Sequence, residues 1–272
     1  MYSHVTLGTA DLIRARAFYE PLFQLLGQVV LGFAPDDGYL MLGPSGDAFP
    51  HTFVCHPFDG QAPEPGNGFH VAYMAEGKSV VDRFHETALA LGGTDEGAPG
   101  LRPHYDADYY AAFVRDLDGN KLQVVHYGDG RRWTLSSESQ VHAMSHVTVG
   151  ASDLARSDAF YRAVLAPLGV EGIDTPSERV IMRYVSPGTQ RPLFVAMRPF
   201  DGALPTPGNG PHCAFHATTR AAVHAFHEAA LSAGGTCDGP PGPRPHYSPV
   251  YYAAYIRDAD GNKIQAVCRA EG

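Results

Sequence analysis

"RPHYDADYYAAFVRDLDGNKLQVV", residues 102–125, returns with few changes as "RPHYSPVYYAAYIRDADGNKIQAV" at residues 244–267. Working outward from this pair, each anchor recurs at a constant offset of 142 residues: His4 with His146, His70 with His212, His104 with His246 and Gln123 with Gln265. The segments Pro57-Phe58-Asp59-Gly60 and Pro199-Phe200-Asp201-Gly202 keep the same offset. That period is far longer than a solenoid repeat, so the halves read as two copies of a whole domain. A fainter spacing of 66 residues recurs inside each copy, from His4 to His70, Phe18 to Phe84 and Gly27 to Gly93, and from His146 to His212, Phe160 to Phe226 and Gly169 to Gly235. The chain therefore reads as four modules, each opening with a histidine-bearing strand and a helix.

Local patterns give each module its elements. "SHVTLG" alternates, which places Val5 and Leu7 on one face of a strand and His4 and Thr6 on the other. Asp11, or Thr9 before it, can cap a helix whose Leu12, Phe18, Leu22 and Leu25 form an apolar stripe. "GQVVLGFA", "GYLMLG" and "HTFVCHP" follow as three strand candidates bounded by glycine, proline and aspartate. The second module repeats strand and helix, stops its helix at Gly92-Gly93, and closes on "YYAAFVRD" and "KLQVVHY" around the turn Asp118-Gly119-Asn120. Residues 96–108, rich in glycine and proline, are expected to form a surface loop that delivers His104 and Tyr105. The expected architecture is α+β: four βαβββ modules with concave mixed sheets. It divides into a domain at 1–130, a linker at 131–142 and a second domain at 143–272. Trp133, the one tryptophan, falls in that join and is expected to pin it to a domain surface.

Composition narrows the partners. With 272 residues and 44% hydrophobics the chain has ample core material. The formal charge of −9 is spread without single-sign runs, so no basic stripe offers to neutralise phosphates and nucleic acid is not an expected partner. No run of eighteen apolar residues and no secretory leader pattern occurs, which leads to expecting a cytoplasmic location without membrane contact. Cys55, Cys213, Cys237 and Cys268 do not match between the copies and read as reduced thiols. His85 and His227, on helices, read as solvated.

Strand parity carries the chemistry. If Val5 and Leu7 face the helix, His4 points to the concave side; Val71 and Tyr73 do the same to His70, and Leu122 and Val124 to Gln123. One set is then His4, His70 and Gln123, and its copy is His146, His212 and Gln265. Two imidazoles and a side-chain oxygen can hold a divalent ion (zinc, iron, manganese or nickel) while leaving positions for substrate.

This pattern resembles the vicinal oxygen chelate superfamily, the group of glyoxalase, bleomycin-resistance and extradiol dioxygenase proteins. The resemblance rests on the "SHVT…DL…FY" opening, the "DLDGNKLQ" and "DADGNKIQ" closings and the paired modules, and it covers the chain twice. It implies that modules pack edge to edge into a cup around a metal, with ligands at the positions of His4, His70 and Gln123 and of His146, His212 and Gln265. Two departures matter. Glutamine stands in both copies where glutamate is usual, and a neutral amide offsets no charge. The carboxylate that glyoxalase I relatives take from the last strand of the first module has no equivalent in "HTFVCHPF" or "LFVAMRPF", which argues against a typical lactoylglutathione lyase.

The remaining repeats complete the expectations. His104 and His246 are candidates for proton transfer, and Tyr105, Tyr110 and Arg115, with Tyr247, Tyr252 and Arg257, for substrate contacts. Tyr109 and Tyr110 also read as neighbouring strand residues, one in and one out, and Arg115 as a hairpin ion pair. The leading expectation is a metal-assisted enzyme of lyase, isomerase or dioxygenase type acting on a small oxygenated molecule. The alternative is a metal-free protein that sequesters a small molecule, for which the acidic balance suggests a cationic ligand. The chain is expected to be a monomer or homodimer.

Overall fold

The computed structural model describes residues 1–46, 49–128, 144–174 and 181–270; the expected linker and Trp133 lie outside these. The first module runs β1 (Tyr2–Gly8), α1 (Leu12–Leu25), β2 (Val29–Ala34), β3 (Tyr39–Gly43) and β4 (His51–Cys55). The second runs β5 (His70–Met74), α2 (Lys78–Ala90), β6 (Thr94–Leu101), β7 (Tyr110–Arg115) and β8 (Lys121–His126). The third comprises β9 (Met144–Gly150), α3 (Leu154–Leu165), β10 (Glu171–Ile173), β11 (Ile181–Val185) and β12 (Leu193–Met197). The fourth comprises β13 (His212–His216), α4 (Arg220–Ser232), β14 (Thr236–Pro243), β15 (Tyr252–Arg257) and β16 (Lys263–Cys268).

Two eight-stranded mixed sheets result, ordered β14-β15-β16-β13-β1-β4-β3-β2 and β10-β11-β12-β9-β5-β8-β7-β6. The first joins modules one and four, the second modules two and three; they are called here the 1/4 sheet and the 2/3 sheet. Within each module the first strand pairs parallel with the last, as β1 does with β4 and β5 with β8. Its other edge would be left open, and it is closed by the first strand of a module from the opposite half, β1 on β13 and β5 on β9. Each half of the chain thus contributes one module to each sheet.

The side chains facing the helices interlock into one core. Val5, Leu7, Val71, Tyr73, Val147, Cys213 and Phe215 meet Phe18, Leu22, Phe84, Phe160 and Phe226 from the four helices. The sheets also touch directly: Thr52 hydrogen-bonds Tyr73 across them, and Tyr2 donates to the Leu193 carbonyl. Burying these apolar faces on a shared core, at roughly 25 cal/mol per Å², turns each concave face outward.

Caps and turns hold modules of one half together. Asp11 caps α1 by accepting from Arg14 N, and Asp153 repeats this on α3. The hairpin aspartates do more than turn the chain. Asp116 accepts from Tyr19 and Asn120, while Asp118 accepts from Thr9 and Arg14, so the "DLDGN" turn docks the start of α1. The "PFDG…PGNG" segments clasp each other: Asn67 donates to Asp201 and Asn209 donates to Asp59. The backbones come so close there that a Cβ on Gly68 would lie 2.5 Å from Gly150 Cα, and one on Gly210 2.6 Å from Gly8 Cα. Both glycines also have positive φ.

Two local expectations need correction. Residues 96–101 belong to edge strand β6, whose bulges at Asp95/Gly97 and Gly97/Gly100 let glycine and proline sit in a ladder. His85 is buried and bonded to Asp95 at 2.8 Å, so it is no solvated helix residue. All four cysteines are free.

Two hollows built across the halves

Strand register decides which donors meet. In the 1/4 sheet His4 lies beside Ala214, and Ala214 beside Gln265, so the three form one row across β1, β13 and β16. In the 2/3 sheet His146, Ala72 and Gln123 form the same row across β9, β5 and β8. The buried alanine between histidine and glutamine keeps the floor of each hollow low. A second imidazole lies diagonal to the row. His212 stands 6.0 Å from His4, and His70 stands 5.4 Å from His146, centroid to centroid and nearly edge-on.

The sets therefore are His4, His212 and Gln265, and His70, His146 and Gln123. Strand parity placed all six on concave faces as expected, but the grouping by half is corrected: His4 and His70 belong to different sheets. The reason is that β1 meets β13, while β5 meets β9.

Electrostatics keeps these rings neutral. Burial lowers the pKa of His70 to about 3, assisted by Lys121, and that of His212 to about 4, assisted by Lys263. His4 is held well below its ordinary value by burial first, then by His212, Arg269 and His51; His146 by burial, His70 and Arg191. The glutamines are oriented from one side by tyrosine. Gln123 Nε2 donates to Tyr109 at 2.5 Å and Gln265 Nε2 to Tyr251 at 2.7 Å. Gln265 Oε1, fully buried, lacks a hydrogen bond of acceptable geometry.

A serine beside each first-strand histidine passes on a further contact. Ser145 lies between Tyr127 (2.6 Å) and His146 Nδ1 (2.9 Å). Ser3 lies between Arg269, which donates at 2.6 Å, and His4 Nδ1 at 2.9 Å. The guanidinium is donor-only, so Ser3 Oγ accepts from it, which leaves the hydroxyl proton free to point at His4 Nδ1 and favours the His4 tautomer protonated on Nε2. His212 holds the other tautomer, because its Nδ1 faces the Gly210 carbonyl.

Other expected site residues divide by parity and loop direction. Tyr105 lines the 2/3 hollow, which encloses about 740 Å3 open to solvent. Its copy Tyr247 packs on Tyr251 at 5.1 Å. Tyr110 and Tyr252 turn to the helices, bonding Asp82 and His224. Arg115 and Arg257 clamp their hairpins through Glu96 and Asp238 and through the Gly119 and Gly261 carbonyls. His104 and His246 are exposed and stack on Tyr105 and Tyr247 at 4.1 Å, outside the hollows' donor rows. Of the neighbouring tyrosines read as one in and one out, Tyr109 and Tyr251 are the inward ones, since Phe113 faces Gln123 and odd-numbered β7 neighbours share its side. The inward members missed by the sequence reading are Tyr127, Arg191, Arg269 and His51.

These donors meet a metal's demand for unprotonated imidazoles but not its demand for charge. Among the described residues no Cys, Asp or Glu joins the two imidazoles of either hollow. A guanidinium stands close to the row in each hollow and repels a dication, with no carboxylate in the row to offset either charge. The donor set does not fit a resident dication.

Comparison with known proteins agrees with this architecture. Residues 143–266 match the family model described as Glyoxalase/Bleomycin resistance protein/Dioxygenase superfamily. Glyoxalase I from Zea mays superposes with a TM-score of 0.72 at 21% identity, covering 98% of this chain and 92% of that one. A putative dioxygenase from Bacillus subtilis subsp. subtilis str. 168 superposes at 0.68 with 14% identity, covering 100% and 86%. A glyoxalase/bleomycin resistance protein from Albidiferax ferrireducens T118 is 40% identical over 46% of this chain and 98% of its own, with a TM-score of 0.41. No curated protein matched. The helices described include none long and apolar enough to cross a membrane. With one half matching the family model and the other repeating it at a fixed offset, the chain belongs to the glyoxalase/bleomycin resistance protein/dioxygenase superfamily.

Proposed function

We propose that this chain binds small oxygenated organic molecules in its two hollows, using neutral imidazoles, a glutamine amide and a guanidinium, without a resident metal. The observation that supports this most is the donor row itself: histidine and glutamine flank a buried alanine in each hollow, and no carboxylate belongs to the row. Buried polar groups of this kind cost stability unless something hydrogen-bonds them, and a ligand rich in oxygen supplies those partners. Depressed histidine pKa values keep the rings as neutral donors and acceptors at pH 7. The expected cationic ligand is not favoured by hollows that each present arginine.

Elemental analysis of protein purified without affinity-tag nickel, followed by a thermal-shift screen after chelation, tests this reading. The expected result is far less than one ion per hollow together with a rise in Tm for some organic compounds. One tightly held ion per hollow, with ligand binding lost on chelation, would shift the reading to a metal-assisted lyase, isomerase or dioxygenase using the same six residues.

A further inference from the structure

The geometry points to an organic acid bearing a hydroxyl group as the ligand of the 1/4 hollow, with Arg269 as the carboxylate anchor; this rests on the small-molecule reading. The two copies of the chain supply the first observation. At the 142-residue offset Tyr127 corresponds to Arg269, and Phe49 to Arg191. In the 2/3 hollow the Arg191 guanidinium lies 4.7 Å from the Tyr127 ring, and in the 1/4 hollow that of Arg269 lies 5.1 Å from the Phe49 ring. Cation and ring have exchanged positions, yet in each copy a guanidinium still lies over an aromatic ring.

The charges around the two cations differ. Arg183 and Asp106 line the 2/3 hollow beside Arg191, and the same positions in the other copy are the uncharged Met41 and Ser248. Among the described residues Arg269 forms no ion pair: it donates to Ser3 at 2.6 Å and lies 5.0 Å from the Tyr251 ring. Half-buried and held between two rings, it still has guanidinium donors to offer as a fork to a carboxylate. A charge so placed, partly out of water, interacts more strongly than one on the open surface.

The second observation specifies the hydroxyl. Gln265 Oε1 is a buried acceptor that faces His212 without a hydrogen bond of acceptable geometry, its amide nitrogen being held by the Tyr251 hydroxyl. A hydroxyl a few atoms from the carboxylate would donate to it, while His4 Nε2–H adds a donor on the floor. Phe53 and Tyr255, packed on His4 and His212, give the hollow aromatic walls. A compact aromatic hydroxy acid satisfies all of these groups.

Calorimetric titration of the chelator-treated full chain with mandelate and with its neutral amide, mandelamide, tests this. We expect the acid to bind at least about tenfold tighter, equivalent to about 1.4 kcal/mol. That preference should fall to about threefold or less in Arg269→Gln and survive in part in the cation-keeping Arg269→Lys. Equal binding of acid and amide, or a preference that persists in Arg269→Gln, would overturn the assignment. If neither probe binds while other compounds raise Tm, the assignment fails and the small-molecule reading stands. If compounds of every class leave the protein unmoved, both fail.

Discussion

The two hollows share a floor and differ in their walls. In the 2/3 hollow Ile181, Leu193, Val195 and Met197 form an apolar wall beside Arg183 and Asp106. The positions 142 residues earlier than the first four are Tyr39, His51, Phe53 and Cys55, so the 1/4 wall is aromatic and carries a third imidazole. The floors keep the same His, Ala and Gln rows on β1, β13 and β16 and on β9, β5 and β8, while the walls come from β3 and β4 and from β11 and β12. The repeat thus keeps a common donor frame under two different linings, and the groups behind the first-strand histidines differ as well. Arg269 can only donate to Ser3 and so favours His4 as an Nε2–H donor, whereas the Tyr127–Ser145–His146 chain can run in either direction because both hydroxyls donate and accept.

The largest effect should come from separating the halves. Residues 1–130 expressed alone leave β1 without β13 and β5 without β9, exposing two strand edges and one open core face. Sedimentation should show a homodimer, formed by pairing β1 of one copy with β5 of another, or aggregation. A stable monomer that binds ligand would break the idea that hollows need both halves.

Acid sensitivity is next. The four floor histidines have folded pKa values below the unfolded value of about 6.5, with His70 near 3 and His212 near 4. The unfolded chain therefore binds more protons in this interval, so stability is full above pH 6.5 and falls as pH drops towards 4. Denaturant unfolding across that range should lose on the order of a few kcal/mol, and His212→Asn should flatten the slope. A flat profile in the parent protein would show that these rings are not buried neutral.

Smaller effects separate inward from outward tyrosines. Tyr251→Phe removes the acceptor for Gln265 and should weaken ligand binding severalfold, about 1 kcal/mol, while Tyr252→Phe should leave it unchanged in calorimetry. Comparable losses from both would contradict the parity of β15. His104→Ala and His246→Ala should alter affinity least, by less than about twofold, since exposed groups outside the donor row contribute little.

Much of this arrangement was legible in the sequence. Alternation in "SHVTLG" and around Gln123 identified the concave face of each strand, because an amphipathic strand has one way to bury its apolar side. The partner of β1 was not legible. His70 and His212 sit on strands of the same pattern, so either could have lain beside His4, and only tertiary closure of the open edge decides. Tyr110 was preferred to Tyr109 although adjacent strand residues face opposite ways, and the Asp116–Asn120 hairpin fixes which is inward. Arg191 and Arg269 escaped notice because they do not recur: each aligns with an aromatic residue in the other copy.

Nitrogen-15 NMR of the histidine side chains, recorded on chelator-treated protein at pH 7 before and after one equivalent of zinc per hollow, tests the absence of a resident metal most directly. The expected spectrum shows His4 neutral with its proton on Nε2 and His212 with its proton on Nδ1, and neither changes with zinc. Loss of the Nε2 proton of His4, with metal-bound shifts at His4 and His212 together, would contradict the account and establish these rings as ligands.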